Sequence, residues 1–421
     1  MAIADIYQKA TLVQIPSGYK AADAKLYSVL PNTADGDFTV SADADATRVN
    51  KDGLIESTSA NQARLNYNFI DGVVQPDPHL LLEPTRVNFI QYSELFSNSY
   101  WTKENVTVGT GVLSPDGGSN AQNLIEDTTT GRHRVRASLS VSSGTTYSLS
   151  VWAKSSNRNL VINADVLINA RSGFDLINGT VQNTTSGTAT IKEFPNGWYL
   201  CTVIGTATTT QTTVSYLQAQ IGTTDVNYTG DGTSTLSLFG AQLEQSSTYA
   251  SSYIPTSGSA VTRTQDTCNI ANFANLPTDY PLTVYWKGQV KEFNGFNCAF
   301  SIYKDGASGE FLVVSFNTSS QILVRRAIGG SEDVDFISYS YSLGDVLKIG
   351  IKFTSATTFK LFIDGLEIYE ETSGVSKTWD FNSVLIGQLR VAADTGNRNP
   401  CDALMLFNEA LSDAELIALT S

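Results

Sequence analysis

From Thr85 onward the apolar residues of this chain recur with period two in run after run, and no 3.6-residue periodicity is sustained through them. That pattern restricts the fold to strands with two distinct faces. In Thr145 to Lys154, TTYSLSVWAK, residues Tyr147, Leu149 and Val151 fall on one face, with Ser148, Ser150 and Trp152 on the other. Trp198 to Ile204, WYLCTVI, is apolar on both faces and predicts a central strand. Further strands are expected at Val214 to Ile221 and Leu236 to Leu243, with Ser142-Ser143-Gly144 and Asp231-Gly232 as loops at sandwich-like intervals. Farther along, Leu282, Val284, Trp286 and Val290 alternate, as do Leu347, Ile349, Ile351 and Phe353, with Lys348 and Lys352 pointing out. Phe359, Leu361 and Ile363 lead into an Asp364-Gly365 hairpin turn. One helix start stands out: Ser412 as cap, Glu415 completing a capping box, and Leu411 stapled to Leu416. The expectation is an all-β protein of jelly-roll sandwiches with one short helix near residue 415.

A chain of 421 residues exceeds one ordinary domain. Leu80-Leu81-Leu82 followed by Glu83-Pro84 marks a buried extended piece stopped by a residue that cannot continue a ladder. We therefore divide the chain into an N-terminal segment (1–84), a first sandwich (85–259) and a second (260–421). In the segment, Ala10 to Ile15 predicts a strand, and Asp43 to Glu56 predicts two short strands about the Lys51-Asp52-Gly53 turn. Gln75-Pro76-Asp77-Pro78 reads as a rigid linker. The segment is too polar to bury a core alone, so it is expected to pack on the next module or on other subunits.

Charge narrows the function classes. A formal net charge of -14 opposes nucleic-acid binding, which rests on neutralising phosphates, and opposes attachment to anionic membranes. The first twenty residues lack the basic and apolar regions of a signal peptide, and no stretch has the length of a membrane-spanning helix. Cys201, Cys268, Cys298 and Cys401 are scattered without metal or redox spacing, which predicts free, buried thiols. No cofactor is expected.

Four phrases carry a resemblance: DFTVSADADATRVNKDGLIE (37–56), LLLEPTRVNFIQYSELFSNSYWTKENVTV (80–108), SPDGGSNAQNLIED (114–127) and YTGDGTSTLSLFGAQLEQSSTYASSYIPT (228–256). Together they resemble bacteriophage virion proteins of the tail or structural type. In that family a carbohydrate-binding-like jelly roll is often followed by a concanavalin-like (laminin-G-like) domain, to which FKLFIDGLEIYE and LMLFNEALSDAELIAL are also similar. The resemblance implies a fibre or spike on the virion, usually a homotrimer, docked on other virion proteins by its N-terminal segment. Its sandwiches would bind a host-surface glycan. A purely structural head-fibre, collar or tail role and a glycan depolymerase are the alternatives. Assembly in the reducing host cytoplasm fits both the free thiols and the missing signal peptide.

Catalysis is hard to build from these residues. His79 and His133 sit in no metal or nucleophile-base pattern, and Glu126-Asp127, Glu332-Asp333 and Glu370-Glu371 are sequence neighbours that a strand points to opposite faces. We expect a non-enzyme. For glycan binding, GRHRVR (131–136) projects Arg132, Arg134 and Arg136 from one strand face, either as an oxyanion site or as a solvated face balanced by nearby acids. Trp152, on the polar face of its strand, either stacks on a sugar ring or is covered by a loop or subunit. Tyr228 is a weaker candidate of the same kind. Because a short turn joins their strands, Trp152 and the arginines are expected to share one sheet face. The Asp-Gly turns at Asp116 and Asp231 could hold calcium, but ordinary turn chemistry is preferred and no metal site is assigned.

Overall fold

Two β-sandwiches make up the protein, and one is inserted in the sequence of the other. The structure, a computed structural model, describes residues 3–20, 24–220, 225–245, 248–277, 279–291, 297–307, 309–372, 380–389 and 399–421. The middle sandwich packs two six-stranded sheets face to face. Thr146–Ser155 lies between Trp198–Thr206 and Thr235–Gln245 in one sheet, and Arg134–Val141 pairs with Gln211–Gln220 in the other. Leu149, Val151, Cys201, Val203, Leu160, Ile162 and Leu217 fill the space between the sheets, as the alternation predicts.

The second sandwich is composite. Its eight-stranded and nine-stranded sheets are built mainly from residues after 260, but strands from the first 80 residues complete both. Leu12–Gln14 pairs antiparallel with Cys401–Phe407, and His79-Leu80 joins the same sheet between Cys401 and Leu65-Asn66. Lys25-Leu26 and Phe38–Ser41 extend the other sheet through Thr267–Ile270. Leu12, Leu26, Phe38, Val40, Leu65, Leu80 and Leu82 are all buried in the same core as Trp286, Phe300 and Ile351. The segment 1–84 therefore meets only in part the expectation of a piece resting on its sequence neighbour: the hairpin 47–57 packs on the middle sandwich, but most of its other strands complete the composite one. Its strands are two to four residues long, too short for period two to emerge, and those at Leu12, Phe38 and Leu80 find a partner strand hundreds of residues away.

The expected hairpins are present. Thr47–Val49 pairs with Ile55–Ser57 around Asp52-Gly53, where Gly53 takes the positive φ of +79°. Thr358–Ile363 and Leu366–Glu371 meet at Asp364-Gly365, both left-handed. Helix Asp413–Thr420 carries the full capping box between Ser412 and Glu415. It lies on the outer face of the eight-stranded sheet, with Leu416 and Leu419 against Tyr285, Phe362 and Met405. Gly350 permits this contact, since a Cβ there would stand 2.8 Å from Leu416. Among the described residues no helix is long and apolar enough to cross a membrane.

Candidate functional site

Glu83, directly after the three leucines, is the ionic centre of the molecule. Its carboxylate is fully buried and lies 2.8 Å from Arg64 Nη1 and 3.0 Å from Arg263 Nη1. Arg64 also pairs with Asp266, and Ser252 donates to Glu83 through both its backbone N–H and its hydroxyl. Four segments meet there: the N-terminal strands, the leucine stretch, the end of the middle sandwich and the return to the composite one. Burial by itself would raise the Glu83 pKa, but Arg263 and Arg64 outweigh it and hold the carboxyl well below its ordinary value.

Beside this cluster is a cavity of about 250 Å³ at the junction of the two sandwiches. The hairpin 47–57 supplies one wall, and the outer face of the middle sandwich another through Trp152, Phe194 and Leu200. Tyr249, Tyr253 and Lys291 close the far side. The indole of Trp152 meets Phe194, Phe239 and Tyr253 edge-on, at centroid distances of 5.8, 6.2 and 5.4 Å. Its Nε1–H is buried and has no hydrogen-bond acceptor among the described residues.

Two lysines face this cavity. Lys192 is reached by water, yet protein crowds it closely enough that burial, with repulsion from Lys291, lowers its pKa to about 8. Lys291 is lowered as well, chiefly by burial, and its Nζ lies 5.3 Å from the centre of the Tyr249 ring. Neither ammonium has a carboxylate within ion-pairing distance among the described residues. Glu83, the cavity's carboxylate, is already committed to two guanidinium groups.

The residues singled out by sequence are distributed differently from the expectation. Trp152 does lie on the face opposite Tyr147, Leu149 and Val151, but that face is also buried: the indole is 4% exposed, in a second cluster with Ile55, Phe194, Trp198 and Tyr253. It is a cavity wall beneath a covering hairpin and not an open platform. Trp152 and the arginine strand belong to opposite sheets of the middle sandwich, so they do not share a face. The turn at Ser142 to Gly144 crosses from one sheet to the other. Arg134 is buried and gives a two-pronged pair to Glu104, at 2.9 and 3.1 Å, with its guanidinium 4.0 Å from the Tyr216 ring centre. Arg132 is exposed and Arg136 half-buried. Tyr228 is brought close to this strand, pairing with Gly131 and stacking on His133 at 4.7 Å. Its ring is buried and its hydroxyl donates to Glu126 at 2.9 Å, so it is a structural tyrosine. Asp116 and Asp231 accept bonds from their own turns, Asp116 from Gly118 N–H and Asp231 from Thr233 and Ser234.

Lys192, Lys291, Arg64 and Glu83 were not distinguished as site residues by the sequence. The partners of the cluster are 19 to 202 residues apart, beyond any local pattern. The one local signal is Glu83 itself, a carboxylate at the end of an apolar run, which demands a buried cation.

Comparison with protein families gives no match, and comparison with curated proteins gives none either. Solved structures give partial overlaps. The CBM40 module of the Ruminococcus gnavus IT-sialidase aligns at 14% identity and a TM-score of 0.30, over 34% of this chain and 84% of that one. The NanB sialidase of Streptococcus pneumoniae aligns at 17% and 0.31, over 36% of this chain and 26% of its own. The binding domain of botulinum neurotoxin serotype G aligns at 13% and 0.31, over 37% and 39%. The assignment of sandwich architecture rests on the sheets described above.

Proposed function

We propose that the protein is a non-enzymatic bacteriophage virion component of fibre or spike type that binds a host-surface glycan, with the junction cavity as its binding site. The carrying observation is the pairing of aromatic walls with two ammonium groups that have no carboxylate within ion-pairing distance among the described residues. Aromatic faces suit the apolar face of a sugar ring, and unpaired cations suit a substituent that bears negative charge. The same geometry argues for binding over hydrolysis. Glu83 is held ionised between Arg64 and Arg263, so it has no proton to give a leaving group. The virion role draws on the resemblance of the phrases at 37–56, 80–108, 114–127 and 228–256. Docking on other virion proteins and a trimeric state belong to the same reading.

A glycan array probed with the full-length protein tests the binding reading. Wild type should retain glycans that Lys291→Met does not, with the variant melting no lower than wild type. An array without any retained glycan would sink it. For the virion role, soluble protein should compete with particles for host cells, and unchanged adsorption at saturating protein would count against it.

A further inference from the structure

Lys192 lines a second cavity as well as the first. This one, about 610 Å³, opens between residues 68–79 and the composite sandwich, where Asn68, His79, Lys287, Gln289 and Asp402 form part of its wall. Two phenylalanines stand between the cavities, Phe194 lining the smaller and Phe69 the larger, with ring centres 4.8 Å apart. Lys192 Nζ lies 5.3 Å from the Phe69 centre and 5.8 Å from that of Phe194. The ring faces hold the ammonium in place at the divide without neutralising it.

Most of the other charges of the larger cavity are silent, the exception being the exposed carboxylate of Asp77. Lys287 and Asp402 pair at 3.1 Å. Burial lowers the His79 pKa to about 3, which leaves its ring neutral at physiological pH. What remains is one shared cation, the exposed Asp77 carboxylate and neutral hydrogen-bonding groups, among them the Asn68 side-chain amide. The smaller cavity, at about 250 Å³, is below the usual range for a whole ligand, while the larger lies within it.

We propose that the two cavities are adjoining subsites of one groove for an acidic oligosaccharide, with a sugar carboxylate seated between Lys192 and Lys291 and the following sugar in the larger cavity against Asn68. This rests on the saccharide-binding reading above and adds to it the charge of the ligand, its minimum length and its direction across the junction. A carboxylate at that point removes the repulsion between the two ammonium groups, and the amide of Asn68 can donate to ring hydroxyls on the far side of the phenylalanine divide.

Calorimetric titration of the full-length protein with galacturonic acid, tetragalacturonic acid and neutral cellotetraose separates the possibilities. The acidic tetrasaccharide should bind about tenfold tighter than the acidic monosaccharide, the equivalent of one further good contact. Asn68→Ala should remove most of that gain and leave the monosaccharide unchanged. Lys192→Met should weaken both acidic ligands about tenfold without lowering the melting temperature. A tetrasaccharide no tighter than the monosaccharide, or an Asn68→Ala variant indistinguishable from wild type, overturns the groove but leaves saccharide binding standing. Cellotetraose equal to tetragalacturonic acid, or array hits confined to neutral glycans, overturns the acidic assignment. An empty array together with three flat titrations removes the saccharide reading itself and the groove with it.

Discussion

At the scale of single residues, the two sides of one strand show what alternation can and cannot reveal. Tyr147, Leu149 and Val151 face the middle core as their spacing predicts, whereas Ser148, Ser150 and Trp152 on the other face are equally buried, Trp152 beneath residues 47–57. Period two reports that a strand has two faces; it does not report what covers the second one. Trp152→Ala should therefore cost about 3–5 kcal/mol of stability, as large-to-small core changes do, measured as a shift in urea midpoint at unchanged slope. Lys192 gives a prediction in pH. Its folded pKa of about 8 lies below the ordinary 10.5, so the folded state bears the whole cost of the charged ammonium below pH 8. That cost is relieved as pH rises from the folded value toward the unfolded one. An anionic ligand needs the protonated form, so its affinity should fall as pH is raised from 7 to 9, and Lys192→Arg, which stays charged, should flatten the profile. A wild-type affinity unchanged across that range would mean that Lys192 does not contact the ligand.

Among the elements, those with a strong local signal were legible: the capped helix at Ser412, the hairpins at Gly53 and Gly365, and the long strands of both sandwiches. The short strands at Leu26 and Phe38 were not, and those at Leu12 and Leu80 were legible as extended pieces without their distant partners, because their stability is almost entirely tertiary. Each buried leucine or phenylalanine among them contributes roughly 1.5–3 kcal/mol. Together they represent a share of the composite core comparable to the whole margin of a typical domain, about 5–15 kcal/mol. A fragment of residues 260–421 should accordingly be molten or insoluble, and co-expression with residues 1–84 should restore a cooperative melt. The fragment 85–259 holds both sheets of the middle sandwich and should fold alone. Without the hairpin at 47–57, its Trp152 should emit at longer wavelength than in the intact protein. A cooperative melt from 260–421 by itself would show that the early strands are dispensable trim.

For the whole molecule, the ion cluster at Glu83 joins the two sandwiches. Glu83→Ala leaves Arg64 and Arg263 buried without their shared counter-charge, a loss of about 3–5 kcal/mol. Differential scanning calorimetry should show one transition in wild type resolving into two in the variant, and a single unsplit peak would mean that the sandwiches are coupled elsewhere. No sequence pattern announced that cluster, since its members are brought together only by the completed topology. The pairing of Leu12–Gln14 with Cys401–Phe407 also imposes an order in time. On the ribosome the middle sandwich has all its strands by about the point at which residue 245 is made, whereas the earlier strand still lacks its neighbour. At about 5–20 residues per second, the interval between making those two strands is on the order of tens of seconds. In its later part, once residue 245 has been made, the nascent chain holds a finished domain flanked by unsatisfied strand edges. Polysomes crowd such chains side by side, so the edge left waiting in one can be met by the late strand of another, and exchange of that strand between copies is the assembly error to which this topology is most exposed.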